Sequence, residues 1–407
     1  MQNSSESHSN VDSCLRIDRR TLLQAAGAGV ACCLTAGPDA SLSAAQSPKA
    51  SVMIPFYIGT YTSGKSEGIH RAQLNLTTGE ITDLKLVAKL DNPSFLTIHP
   101  KLNVLYACSE SRRDGKREGA QITAFKIASD GSLDPIGGQA SGGVGPCYVS
   151  TDATGKVALV ANYASGSIAS LPIAADGSLQ PTASTIQHVG KSVNPQRQEG
   201  PHAHCIQADP TNRYVLAVDL GLDQVLVYEL NADKGTLTPK PENSFHAEPG
   251  HGPRHIAFHP SGKYIFVIHE MGSRLTAARW DAASGKFTKV DEQSTLPADF
   301  KGNSSTAEVL VHPSGKFVYG SNRGHDSIVV FAFDAKSEKL TTTGYALTGG
   351  KTPRNFRLDP SGHFLLAENQ DSDSIVVFKV NQDTGMLTQV GSPVSVGNPC
   401  CIKFFQQ

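Results

Sequence analysis

A Gly-centred turn recurs along this chain at a spacing of roughly 50 residues, and no other feature limits the possible folds so strongly. It appears as Thr78-Gly79-Glu80, Asp130-Gly131-Ser132, Asp176-Gly177-Ser178, Lys234-Gly235-Thr236, Ser284-Gly285-Lys286 and Thr384-Gly385-Met386. Glu338-Lys339-Leu340 is the sixth of seven copies and lacks the glycine, which predicts another turn type there. A second landmark runs in phase with the first, a proline followed by a His/Asp-Pro-x-Gly turn. It reads His259-Pro260-Ser261-Gly262 and Asp359-Pro360-Ser361-Gly362, with relatives at His99-Pro100, Asp152, Asp209-Pro210 and His312-Pro313. Because His and Asp interchange at this position, His99, His259 and His312 read as turn residues rather than ligands.

Between landmarks lie short apolar, β-branched segments such as Val157–Ala161, Tyr264–Ile268 and Ser327–Phe331, which read as strands. Each unit therefore holds four strands, A to D from the centre outward. The expected fold is all-β: a seven-bladed β-propeller with four-stranded antiparallel blades. The last segment, from Pro399 to Phe405, is an A strand with no B strand after it. The first, from Phe56 to Thr60, is a B strand with no A strand before it. The two are expected to pair, closing the ring and removing an exposed sheet edge.

Charge and hydropathy exclude several functions. With 36 basic and 37 acidic residues the chain has no global field for nucleic acid. Past the N-terminus no apolar run is long enough for a membrane span. Residues 1–45 read as an export signal. Arg19-Arg20 precedes a weakly apolar stretch from Ala25 to Ala36, and small residues at Ser43 and Ala45 offer a cleavage site. The paired arginines resemble a twin-arginine signal, which implies the twin-arginine export machinery as a partner and a periplasmic location. If that signal does not function, the protein stays cytoplasmic. The propeller then occupies 46–407, and its size suits a monomer. Cys14, Cys32 and Cys33 leave with the signal. Cys108, Cys147, Cys205, Cys400 and Cys401 match no zinc spacing and read as buried apolar side chains.

Strands A and B are antiparallel, so the start of A and the end of B meet at one mouth of the channel. One residue per blade follows the landmark proline: Ser94, Cys147, His204, Arg254, Ala307, Arg354 and Cys400. At the end of strand B come Glu110, Tyr163, Leu220, Glu270, Arg323 and Gln370, preceded in five blades by Asn162, Asp219, His269, Asn322 and Asn369. Three guanidinium groups in one mouth repel unless carboxylates or a bound anion neutralise them, and Arg recognises carboxylate and phosphate bidentately. The alternative is that the arginines only staple blades together through Arg–Glu pairs.

Several motifs in order carry a family resemblance: Gly200-Pro201-His202-Ala203-His204, Gly252-Pro253-Arg254-His255, His269-Glu270, Ser321-Asn322-Arg323-Gly324-His325-Asp326, and Thr352-Pro353-Arg354-Asn355-Phe356. Nearly everything after the signal resembles the propeller lactonase family, which includes propeller-type 6-phosphogluconolactonases and a fungal carboxymuconate lactonising enzyme. Ala203 stands where that family usually has proline. The resemblance implies seven blades and a site at His204 (or His202), Arg254, Glu270 and Arg323.

These residues support an expected mechanism for opening a sugar lactone. His204 acts as general base on water, Glu270 orients that base or holds the water, and Arg254 and Arg323 stabilise the oxyanion. Arg354 binds a distal phosphate or carboxylate, and His202, Asn322, Glu110, Asn162 and Tyr163 complete the substrate set. No cofactor is expected. His202-x-His204 with His255 nearby could hold a metal ion, but no Asp or Cys pattern supports one. No Gly-x-Ser-x-Gly elbow is present for a serine nucleophile. Two other functions would suit the same ring, a muconate cycloisomerase and a non-catalytic ligand-binding propeller.

Overall fold

A computed structural model describes residues 52–110 and 121–406; the segment expected to be an export signal, with its three cysteines, lies outside the described residues. Seven antiparallel sheets follow one another along the chain. The first six blades span 96–140, 146–187, 203–246, 253–294, 305–347 and 353–395. The seventh joins the two chain ends: Pro399–Phe404 pairs with Met53–Thr60, in the order C-terminal strand, Met53–Thr60, Gly68–Asn75, Ile81–Lys89. Phe56 faces Phe404 and Ile58 faces Ile402 across that seam. The fold is thus a seven-bladed propeller closed by its own termini. In the third blade the outer strand is split, with Phe245–His246 adding a short second piece beside Gln224–Asn231.

Burial falls from the inside of each blade outward, and sequence follows it. Strands B such as Val157–Asn162, Tyr214–Asp219 and Phe364–Asn369 are buried along their whole length. They are packed on both faces by neighbouring blades, so they read as continuous apolar runs. Strands D such as Ile81–Lys89 and Leu387–Ser395 are largely exposed and carry the polar residues.

The two landmarks hold blade to blade. Tyr57, Tyr106 and Tyr319 each donate a phenol hydrogen bond to the carbonyl of a landmark glycine in the next blade, Gly131, Gly177 and Gly385, at 2.8–2.9 Å. The turn histidines act in the same way. His99, His259 and His312 bond through Nε2 to the carbonyls of Gly155, Gly315 and Gly362 in the following blade, while Nδ1 accepts amides of their own turn. They are inter-blade ties.

The sixth copy departs from expectation. Glu338 takes φ +59, close to the +72 and +73 of Gly285 and Gly385, and its amide closes the same bond, to Asp334 O at 2.7 Å. The turn type is kept, with glutamate in the left-handed region. The cost of that conformation is about 1 kcal/mol, offset by Oε1 accepting from Tyr264 at 3.0 Å and from Arg279 Nε at 2.7 Å.

Where strand A enters, nearly every blade carries a β-bulge. Pro253 faces His269 and His255 faces Ile268, leaving Arg254 as the extra residue. The same shift singles out Cys147, His204, Arg354 and Cys400, and in the fifth blade Ala307 with Glu308. A bulge re-aims side chains and places two consecutive residues on one face. Arg254 with His255, and Arg354 with Asn355, accordingly line the same cavity. All five described cysteines are buried free thiols.

Candidate active site

The bulge residues gather around a small cavity at one end of the channel, of about 10 Å³, lined by Tyr61, Ser94, Cys147, His204, Arg254 and Arg354 among others. That volume is on the scale of a single water site.

Glu270 is the electrostatic centre beside it. Its Oε2 lies 3.0 Å from Arg254 Nε and 3.0 Å from Arg323 Nη2, and its Oε1 accepts from Arg197 Nη2 at 2.6 Å. The Arg254 contact is an ion pair out of line for a hydrogen bond. Burial raises the Glu270 pKa, but Arg323, Arg254 and Arg197 outweigh it and hold the carboxyl at about 2. Arg254 is 2 % exposed. Burial, then Arg354 and Arg323, push it down to about 10, so it stays cationic at neutral pH. Arg254 Nη1 and Arg323 Nη2 also donate to the carbonyls of Ala307 and Thr306, both at 2.7 Å. One carboxylate thus bridges three guanidinium groups and ties the fourth blade to the fifth.

Arg354 is different. Its guanidinium lies 5.3 Å from the centre of the Tyr61 ring, and among the described residues no carboxylate reaches it within 4 Å. Tyr61 in turn donates to Glu110 Oε2 at 2.7 Å. Among the described residues four arginines and two glutamates therefore meet here, an excess of positive charge with Arg354 at its open position.

His204 faces the same cavity, 5 % exposed, and its Nδ1 has no partner among the described residues. Burial first, then Arg254, His255 and Arg354, hold its pKa well below 6.5, so the ring is neutral. It packs edge-on against Tyr163 and His255 at 5.5 and 5.1 Å. Glu270 spends its oxygens on arginines and makes no contact with His204, so a direct orienting bond between them is not part of this geometry. His202 points elsewhere: it stacks on Tyr163 at 4.6 Å, with Nδ1 3.0 Å from Tyr163 O and Nε2 3.1 Å from Glu199. Among the described residues no three His, Cys, Asp or Glu side chains gather as a metal-binding group.

The asparagines of the expected substrate set are committed to the backbone. Asn162 donates to Ser141 O at 3.0 Å and Asn322 to Thr295 O at 2.8 Å, each securing the linker from the preceding blade. Asn369 does the same with Thr348 O. In all three the amide nitrogen is so engaged, while Oδ1 is buried with no partner among the described residues.

Three residues joined the site without having been singled out for it. Tyr61 follows Thr60, which faces Pro399 as Asn162 faces Pro146; its place was readable once the closing blade was put in register. Arg197 comes from the loop before the third blade, which has no counterpart in the repeat. Glu308 is the second bulge residue of the fifth blade and binds His255 Nδ1 at 2.9 Å.

The family profile for "Lactonase, 7-bladed beta-propeller" matches residues 55–404. The chain belongs to that family of seven-bladed propeller lactonases. It is accordingly an enzyme of the carboxylic-ester hydrolase class. It is 39% identical to a 6-phosphogluconolactonase of Bacillus subtilis over 352 residues, covering 86% of this chain and 98% of the relative. Among solved structures it resembles the periplasmic gluconolactonase of Pseudomonas aeruginosa, with 30% identity, a TM-score of 0.83 and coverage of 87% and 99%. A candidate 6-phosphogluconolactonase from Bacteroides fragilis superposes with a TM-score of 0.81 at 33% identity, covering 89% and 100%.

Proposed function

We propose that this protein hydrolyses a sugar lactone of the gluconolactone type at the mouth centred on His204. The observation that carries the reading is Arg354, a guanidinium without a carboxylate partner among the described residues, lining the same cavity as His204, whose Nδ1 has no partner among them. Arg354 then grips the anionic substituent of the substrate or the carboxylate formed from it.

In this reading a water beside His204 gives its proton to the imidazole while its oxygen bonds to the lactone carbonyl carbon. Remaining N–H groups of Arg254 and Arg323 stabilise the oxyanion. The ring C–O bond then breaks, the leaving oxygen takes the proton from His204, and the new acid ionises. Glu270 fixes the two arginines and prevents their mutual repulsion. Tyr163 packs on His204 and is backed by His202, and Glu110 acts through Tyr61.

We also propose export through the twin-arginine route. Arg19-Arg20 carries this reading, together with the likeness to a periplasmic gluconolactonase. An unphosphorylated lactone suits that compartment better than a cytosolic sugar phosphate. Replacing Arg19 and Arg20 by lysine should retain the protein in the cytoplasm; unchanged export would sink the proposal.

Proton release on glucono-δ-lactone and on 6-phosphogluconolactone, against an enzyme-free blank and an Arg323→Ala variant, tests the activity. Acceleration lost in the variant supports sugar-lactone hydrolysis, and the preferred lactone defines what Arg354 reads. No acceleration on either overturns it and leaves muconate cyclisation as the reaction to assay.

A further inference from the structure

The channel holds a second chamber, of about 410 Å³, within the size range of small-molecule sites. It is lined by the later residues of the A strands, so it opens toward the face opposite the active site. An aromatic floor separates the two spaces. Phe95 stacks on Tyr148 with centroids 4.0 Å apart, and His255 meets both rings edge-on at 6.1 and 5.2 Å.

The repeat that builds the active-site ring builds this one too. Three residues beyond each mouth residue lie Thr97, Ser150, Gln207, Ala257, Leu310, Arg357 and Lys403, and all seven line the chamber. Around the ring they sort by chemistry. Arg357 and Lys403 are neighbours in the sixth and seventh blades. Thr97 and Ser150 bring hydroxyls in the first and second, the Ser150 Oγ donating to Ile206 O at 2.6 Å and so left as an acceptor, and Ala257 and Leu310 form an apolar side in the fourth and fifth.

The two cations have no direct partner among the described residues, and the one ionised carboxylate of the lining, Glu308, leaves them in excess by one charge. Among the described residues neither Arg357 nor Lys403 makes a hydrogen bond or ion pair; Lys403 Nζ lies 4.5 Å from the centre of the Phe95 ring. The lining carboxylate, Glu308, has both oxygens taken, by His255 at 2.9 Å, Val309 N at 2.9 Å and Asn355 at 2.6 Å. Glu368, buried nearby with no partner for either oxygen among the described residues, is pushed toward its protonated form by burial and by the charge of Glu308. Burial above all, and Arg357 to a lesser degree, lower the Lys403 pKa, with Glu308 and Glu368 opposing them in part.

We propose that this chamber is a second binding site, for a small hydroxylated carboxylate. Its carboxylate lies between Arg357 and Lys403, its hydroxyls on Thr97 and Ser150, and its carbon chain against Ala257 and Leu310. This is the chemical class that opening a sugar lactone releases, but the site rests on the lower ring and not on which lactone is opened.

Acetylation of Lys403, read by mass spectrometry on the intact folded protein, tests it. D-gluconate is the probe, inorganic phosphate the contrasting anion, and Arg354→Gln a parallel background in which the active-site cation is gone. At ten times its dissociation constant gluconate should slow Lys403 acetylation about tenfold in both proteins, leaving surface lysines unchanged, with phosphate far weaker. Arg357→Gln should abolish the protection and leave lactone turnover intact. Absence of protection overturns the proposal, as does equal protection by phosphate, or protection that disappears in Arg354→Gln.

Discussion

Arg254 and Glu270 meet across one blade, Nε to Oε2 at 3.0 Å. They meet because a bulge frees Arg254 from the ladder just where the neighbouring strand ends, and because the Glu270 amide bonds to Gly252 O at 2.7 Å. Glu270→Gln keeps the shape and removes the charge that three guanidinium groups share. Breaking a buried ion pair costs about 3–5 kcal/mol, and loss of one oriented oxyanion donor lowers turnover about 100- to 1000-fold. Both a lower melting temperature and a loss of proton-release activity are expected. A variant with native melting and native rate would contradict the bridging role.

The pH profile follows from His204. In the proposed mechanism the neutral ring is the active form, and its pKa lies well below 6.5. Enzyme-catalysed rate, corrected for spontaneous hydrolysis, should therefore be flat from pH 6.5 to neutrality (about the ordinary histidine range) and fall only at lower pH. An acid limb centred near the ordinary histidine value would count against His204 as the base.

Stability should fall in the same direction. His255 and His269 are buried neutral, their pKa values pushed down to about 4 and about 3, by burial above all. The unfolded chain protonates its histidines near 6.5 and so binds more protons below that pH. Stability is then complete above about 6.5 and declines through pH 4 and 3, by a few kcal/mol for each residue. Urea unfolding at pH 7 and pH 4.5 measures the difference; equal midpoints would refute it.

Arg354→Gln separates anion binding from chemistry. KM for the preferred lactone should rise about 10- to 100-fold, the value of a charge-assisted hydrogen bond pair, with a smaller change in kcat. A fall in kcat alone would move Arg354 into the chemical step.

Two glycines test the blade contacts. Gly385 has φ +73, and a Cβ there would come within 2.6 Å of the Phe317 ring in the preceding blade. Gly391 has φ +66, and a Cβ there would meet nothing within 4 Å among the described residues. Gly391→Ala should cost about 1 kcal/mol of conformational strain, and Gly385→Ala about 1–3 kcal/mol more from overpacking. Thermal unfolding of the pair isolates the packing component, and equal losses would show that the contact is soft.

Much of this protein could be read from sequence because its determinants are local and repeated seven times. The glycine and His/Asp-Pro-x-Gly turns set strand boundaries, the apolar runs set the buried B strands, and the common register placed His204, Arg254, Glu270, Arg323 and Arg354 at one mouth. Closure of the ring by Pro399–Phe404 on Met53–Thr60 followed from two strands that each lacked a mate.

Tertiary structure decided what the repeat leaves open. The amides of Asn162 and Asn322 turn to linkers of the preceding blades, because a carbonyl there needs a donor and only packing brings it close. Glu338 keeps a glycine's turn because Arg279 and Tyr264 of the neighbouring blade hold its carboxylate. Arg197 reaches Glu270 from a loop outside the repeat. The bulge brings His255 and Glu308 into the channel, dividing it into two chambers. Each of these depends on a partner distant in the chain, and so on the closed ring rather than on any one of its seven copies.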